Sequence, residues 1–469
     1  MIQTRATSVP SLIGPLLVLL VIPAPLQARG DDATLAPEVL ELGRDLFSHR
    51  WMPNDPRSRG GDGLGPVFNA QSCLDCHDRG GIGGAGHSAR NIDIASVSGQ
   101  EGVSGTGFFY AFRMNMGPNH FEYRIGTPPT AAANANRRGA AAATPPANLA
   151  VLEAIHPGFR ESPSVVLHRF GTDPDYGNWR AEVPGRHGLV SVRITQRNPT
   201  ALFGVALIDD LPDEVLEDAA RRSRRAKATR GRLARTADGR IGRFGWKGQT
   251  ATLEEFVRSA AAGELGLEVP GHFQAADPRL PGIGAPGLDL DQGDLDALLT
   301  FVRSLPRPTT TVDDDLATRI EAGATTFRSI GCTSCHVPNL GPIEGIYSDL
   351  LLHDMGPRLV DTGSYIAFGA RPAVAPNADA DASSPASDHE WRTPPLWGLA
   401  DSGPYLHDGR ALTITDAILQ HDGQGAAAAR RFSQLSSSQK EQLGAFLLSL
   451  TAPEEIDAPP RRIQIGAAE

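Results

Sequence analysis

The chain has 469 residues, enough for roughly three domain-sized units of about 150 residues, and it needs no disulfide staples to bury a core. Its 54 Asp and Glu outweigh 44 Lys and Arg, and the net charge of −10 argues against nucleic acid as the main partner. With 51 Gly, 37 Pro and 6% aromatic residues, long loops are expected; four Cys are too few for a disulfide scaffold. No apolar run of 18 residues occurs beyond the first 30 positions, which excludes a polytopic membrane protein.

At the N-terminus Arg5 precedes an apolar stretch from Leu12 to Ile22 and then Pro23-Ala24-Pro25-Leu26-Gln27-Ala28. That order reads as a secretory signal over residues 1–28, cleaved after Ala28, with the mature chain in the periplasm and no stable membrane insertion. A retained anchor is the rival, and Pro23 interrupts it.

All four Cys fall into two copies of one pattern, Cys73-Leu74-Asp75-Cys76-His77 and Cys332-Thr333-Ser334-Cys335-His336. C-x-x-C-H is the haem c attachment sequence. The thiols add to the two vinyl groups, and the imidazoles of His77 and His336 bind the irons. A dithiol redox site or a four-thiolate zinc site would not require His after both pairs. Two covalently bound haem c groups are therefore expected.

A weaker repeat surrounds the two sites. Gly43-x-x-x-Phe47 is echoed by Gly323-x-x-x-Phe327, and the Trp246 to Leu253 segment by His407 to Ile414. Leu298, Phe301 and Leu305 match Leu443, Phe446 and Leu450 at buried-stripe spacing. This predicts two mainly helical haem domains, 35–305 and 316–450, a linker at 306–315 and a peripheral tail at 451–469. The first domain holds an insertion between His77 and Arg197, including an unstructured tract from Ala131 to Ala147; Pro372 to Asp388 interrupts the second.

Two matched helices differ in one informative way. His421 falls on the buried face seven residues after Ile414, where a second haem needs a sixth ligand; Met355 is its rival. The equivalent position in the first domain is Ala260, which cannot bind iron, so the first haem is expected to be open. Glu264, one turn on, is the candidate acid–base group, because desolvation would raise its pKa. Its bland alternative is a frayed helix end in water. Trp246 is placed to shorten an electron path between the haems, and His87 is a conceivable ligand for the first haem or a surface loop residue. Arg221, Arg222, Arg224, Arg225, Lys227, Arg230, Arg232 and Arg235 form a basic cluster, either a solvated face or a dock for an acidic electron donor.

Together the two CxxCH sites, Arg392-Thr393-Pro394-Pro395-Leu396, Pro404-Tyr405-Leu406-His407-Asp408-Gly409 and the segment Thr413 to His421 resemble the bacterial di-haem cytochrome c peroxidase superfamily. Phe68 to Cys73, Gly242 to Lys247 and Leu350 to Gly356 are similar to its branch of di-haem oxidoreductases. The resemblance implies a mainly α fold of two tandem cytochrome c-like domains with irregular loop insertions. It implies an oxidoreductase that reduces hydrogen peroxide, or a similar small oxidant, at the N-terminal haem. Electrons come from the C-terminal haem and, before it, from a small periplasmic donor protein or an organic donor. Trp246 and Glu264 match the family's inter-haem Trp and acid–base Glu, and His421 the position of its C-terminal-haem ligand. The family's pocket Gln position holds Phe256 here, beside Glu255. A calcium ion would map onto Asn198 and the carbonyls of Ser402 and Pro404. The alternative reading is a non-catalytic electron-transfer or redox-sensing cytochrome with His87 closing the first iron.

Overall fold

A computed structural model describes residues 37–99, 114–115, 121–122, 147–160, 162–188, 190–308, 314–363, 365 and 386–454. The signal segment, nearly all of the Ala-rich tract, part of the linker, most of the 372–388 insertion and most of the tail lie outside the described residues. Among the described residues no helix is long and apolar enough to cross a membrane.

The central feature is a helix crossing built twice. Helix α1 (Pro37–Ser48) packs on a later helix (Gln292–Ser304), and Asp314–Ser329 packs on Ser437–Leu448 in the same manner. Glycine permits the close approach. A Cβ on Gly43 would stand 2.0 Å from the Ala297 carbonyl oxygen, and one on Gly323 would stand 2.0 Å from that of Gln442. One turn on, Phe47 meets Phe301 and Phe327 meets Phe446, each pair with ring centroids 5.3 Å apart. Leu298, Phe301, Leu443 and Phe446 are buried on the inner faces, as the spacing predicts.

A second repeated element follows. The bridge Phe244↔Thr250 closes a turn ahead of one helix (Leu253–Glu264), and Tyr405↔Ala411 closes a turn ahead of another (Ile414–Gln420). In chain order these six are α1 (Pro37–Ser48), α2 (Leu253–Glu264), α3 (Gln292–Ser304), α4 (Asp314–Ser329), α5 (Ile414–Gln420) and α6 (Ser437–Leu448). Thr252 and Thr413 cap α2 and α5, accepting from the backbone N–H of Glu255 and Asp416.

The architecture is mixed rather than mainly α: helix takes 38% of the described residues and strand 13%. Much of the strand lies in the first insertion. β-Branched residues in Ile92–Gly99 and Val190–Arg197 pair these segments antiparallel at the centre of a four-stranded sheet, flanked by Ser164–Val166 and Gly185–His187. Ala95, Val97, Leu152, Ile155 and Val192 form its small core. The sheet delivers Arg197 and Asn198 to the first cavity. The largest core gathers Leu46, Phe47 and Phe301 with Leu340, Ile346 and Leu351, so the 340–351 segment packs into the first half.

The glycine crossings are testable. Gly43→Ala or Gly323→Ala should each cost about 1–3 kcal/mol, read from urea unfolding of the full chain. Gly444→Ala in α6, where a Cβ meets nothing within 4 Å, should cost nothing.

Candidate functional site

The first CxxCH segment is a tight turn, with the His77 and Cys76 backbone N–H groups donating to the Cys73 carbonyl at 3.1 Å. His77 Nδ1 lies 3.0 Å from the Gly84 carbonyl oxygen. With Nδ1–H donating there, Nε2 keeps its lone pair for a metal. Burial lowers the His77 pKa, which favours the neutral, ligating imidazole. Burial also pushes the Cys73 and Cys76 thiols up to about 12, so neutral thioethers suit this position better than thiolates.

Beside this turn lies a largely apolar cavity with about 1280 Å³ of empty space, part of it open to solvent. The inner face of α2 lines it with Leu253, Phe256, Val257, Ala260 and Ala261, and the far end of that helix adds Glu264. Ala260 thus faces the cavity and offers no ligand. Phe256 is an apolar wall, while Glu255 turns to the surface and pairs with Arg240 at 2.6 Å.

Glu264 is not frayed into water. Asn69 Nδ2 donates to its Oε2 at 2.7 Å, and the Tyr365 hydroxyl donates to Oε1. The Asn69 amide is oriented in turn, because its Oδ1 accepts the Arg169 backbone N–H at 2.9 Å. His168, on the same loop, bonds the Gly263 carbonyl at 2.8 Å. Burial raises the Glu264 pKa above the ordinary carboxylate range, and the two donors oppose that shift. Burial and the neighbouring carboxylate hold the Tyr365 phenol well above its usual pKa, so it remains a donor. Sequence reasoning missed Tyr365 and gave Asn69 no role. Tyr365 precedes the insertion at Pro372 to Asp388 and carries no motif.

His87 does not join this cavity. Its side chain is 53% exposed and lies 3.0 Å from an Arg79 guanidinium nitrogen. The loop is held back where Gly86 N–H donates to the Pro199 carbonyl.

The second CxxCH segment repeats the first. His336 Nδ1 lies 2.9 Å from the Tyr347 carbonyl, and burial pushes its pKa down to about 4. His421 Nδ1 lies 2.7 Å from the Ala417 carbonyl, so both imidazoles keep Nε2 in reserve. His421 is the C-cap of α5 rather than a residue within it, because the helix ends at Gln420. Met355 stands close by: a Cβ on Gly425 would lie 3.0 Å from His421 Cβ and 3.2 Å from Met355 Cε. His353 belongs to the Leu350 to Gly356 segment, but nothing in its local spacing marks it as part of the site. It is buried, with Asp349 at 3.0 Å, Gln424 at 2.7 Å and the Cys335 sulfur at 3.5 Å.

Aromatic contacts and one strand pair lead from the first site to the second. Trp246 lines the first cavity and donates to the Asn198 carbonyl at 2.9 Å. Its ring is 6.4 Å from His407, which stacks on Trp391 at 3.7 Å. Trp391 pairs across strands with His353. Next to it, Arg392 is buried, its Nη1 has no partner and burial lowers its pKa to about 10. Its Nε donates to the Gly245 carbonyl, but no carboxylate pairs with it among the described residues, and a buried guanidinium in that state is costly unless an anion meets it. Haem carries carboxylates, so the donor set and this cation both fit haem.

The residues expected around calcium lie near one another. A Cβ on Gly409 would be 2.9 Å from the Pro404 ring and 3.5 Å from Asn198 Nδ2. Asn198 Nδ2 donates to Asn91 Oδ1 at 2.9 Å and to the Gly86 carbonyl at 3.2 Å. Among the described residues no group of three or more His, Cys, Asp or Glu is placed to hold a metal ion.

Residues 308–450 match the family described as "Di-haem oxidoreductase, putative peroxidase". Over this stretch the chain resembles the di-haem oxidoreductases. At a coarse level it is a haem-dependent redox protein. The matched stretch contains the second CxxCH site, Met355, Trp391, His407 and His421, while Trp246 and Glu264 precede it. No curated protein matches. Among solved structures, a MauG-like protein associated with microbial copper homeostasis is 17% identical, over 54% of this chain and 92% of that one, with a TM-score of 0.28. Hydrazine synthase of Kuenenia stuttgartiensis, pressurized with xenon, is 23% identical over 37% of this chain, with a TM-score of 0.26. That match spans 60% of the hydrazine synthase chain.

If His421 rather than Met355 closes the second iron, His421→Gly should turn that haem from low to high spin in the EPR spectrum of the loaded protein. Met355→Leu should leave it low spin.

Proposed function

We propose that the chain is an exported di-haem c oxidoreductase of two tandem cytochrome c-like domains that reduces peroxide at the first site. The observation that carries this reading is the pairing of Ala260 with Glu264. One wall of the first cavity withholds a ligand and presents a partly buried carboxyl group instead. Haem bound at each site would supply one-electron redox chemistry, with an open coordination position at the first. The overall balance is one hydrogen peroxide, two electrons and two protons giving two waters.

The chain's own residues do the rest. Glu264, as carboxylate, takes a proton from the near oxygen of peroxide and returns it to the far oxygen, which leaves as water. Tyr365 and Asn69 hold its two oxygens in place, and Phe256, Val257 and Ala261 exclude bulk water. Trp246, His407 and Trp391 supply ring contacts, and the strand pair Trp391↔His353 continues toward Cys335; electrons arrive from the second site along this route.

Glu264→Gln should lower kcat/KM for peroxide by about 10²–10⁴-fold. An unchanged rate would remove the proposed role. In the parent protein the rate should fall with pH through the raised carboxyl pKa. The Tyr365 hydroxyl stabilises the anion and so lowers that pKa. Tyr365→Phe should therefore move the acid limb to higher pH, as read from a kcat/KM–pH profile.

A further inference from the structure

One charged feature takes no part in this chemistry. The helix Asp213–Ser223 ends in Arg221 and Arg222, and the basic run continues to Arg235. The structure divides the cluster in two. Arg221 is spent on Glu217 and Asp218, Arg232 on Glu390 at 2.6 Å, and Arg235 on the Gly239 carbonyl. Arg222, Arg224, Arg225, Lys227 and Arg230 are exposed and pair with no carboxylate among the described residues. Five unneutralised cations thus crowd one short segment of a chain whose net charge is −10.

The segment is also fixed. Ser223 Oγ accepts the Gly231 N–H at 2.7 Å and donates to the Thr229 carbonyl, which ties the ends of the loop together. Its base rests on the second site. Gln424 Nε2 donates to the Arg230 carbonyl at 3.0 Å, and the same amide's oxygen lies 2.7 Å from His353 Nδ1. That nitrogen is 3.5 Å from the Cys335 sulfur. A Cβ on Gly231 would lie 2.7 Å from the His353 ring. The basic loop is therefore one short hydrogen-bonded chain from a haem-attaching cysteine.

We propose that residues 222–230 form a docking surface for an acidic redox protein that delivers electrons to the second site. The inference rests on the proposed function in taking the second site as the point of electron entry. Like charges on the rest of the chain repel such a partner, while this loop attracts and orients it. On docking, the partner's reduced centre loses one electron, the iron held by His336 gains one, and no bond forms or breaks.

The test uses the full, haem-loaded protein and a plant-type [2Fe–2S] ferredoxin as an acidic one-electron probe. Association with oxidised ferredoxin is measured by calorimetry, and reduction of the second haem by reduced ferredoxin is followed in stopped flow. Both should weaken steeply as salt rises. The triple variant Arg222→Glu, Arg225→Glu, Arg230→Glu should lose about tenfold or more in affinity and rate at low salt. Its reduction by dithionite should be unchanged, which also reports that the site is intact. Arg186→Glu with Arg193→Glu, exposed on the insertion hairpin, should behave as the parent. Ferredoxin binding and reduction unaffected by the triple variant would overturn the proposal. So would a parent protein that ignores ferredoxin at low salt, whether or not it is captured by phosphatidylglycerol vesicles. Salt-dependent docking in a protein that does not turn over peroxide would sink the peroxidase reading and leave this one standing.

Discussion

The helix crossing at Gly43 and Gly323 is the constraint on which both sites depend. Because no side chain separates the backbones there, Phe47 and Phe327 can reach across to Phe301 and Phe446. The same two rings then stand 6.4 Å from His77 and His336. Each imidazole is thus braced on one side by a core phenylalanine and on the other by a carbonyl oxygen on Nδ1. With Nδ1 engaged, Nε2 is the nitrogen each imidazole can offer a metal, and burial favours the neutral form; at His77 the Thr200 carbonyl is a second nearby acceptor. A larger residue at either glycine would shift the phenylalanine and, through it, the histidine.

On this shared frame the opposite walls diverge. In the first half, a helix of small and apolar residues ends at Glu264. In the second, a shorter helix ends at Gln420, and its cap places His421 beside Met355. Burying a carboxyl group is unfavourable unless donors meet it. Here the insertion sheet meets that need at one remove. The loop after Ser164–Val166 brings His168 to the Gly263 carbonyl and Arg169 to Asn69, whose amide then faces Glu264. The sheet is therefore part of the site's support, not decoration on a helical domain.

Between the walls, polar and aromatic groups are packed together. Asp361 is buried beside His407 and in an ion pair with Arg197, and these two partners hold its carboxyl well below the usual range despite burial. Arg197 and Lys247 lie over the Trp391 ring, at 5.0 and 4.1 Å from its centroid, and His407 stacks on that ring. Arg392 keeps an unused donor there, Nη1, which fits the carboxylates of a bound haem.

The sequence by itself determined the local chemistry. The CxxCH turns, the Thr caps of α2 and α5, the buried stripes and the alignment of Ala260 with His421 follow from spacing of 3.6 residues per turn or less. It also placed Glu264 at the end of an apolar face. It did not determine the mixed architecture, because the β-branched runs of the insertion become a sheet only by pairing residues about a hundred positions apart, as Ile92 does with Arg197. Tyr365, Asn69 and His353 were decided by tertiary structure alone. Each acts through a partner distant in the chain or across a loop, and no local period records that contact. The same holds for the basic cluster: sequence shows its charge, but only folding shows which cations are already neutralised and which surround the approach to Cys335.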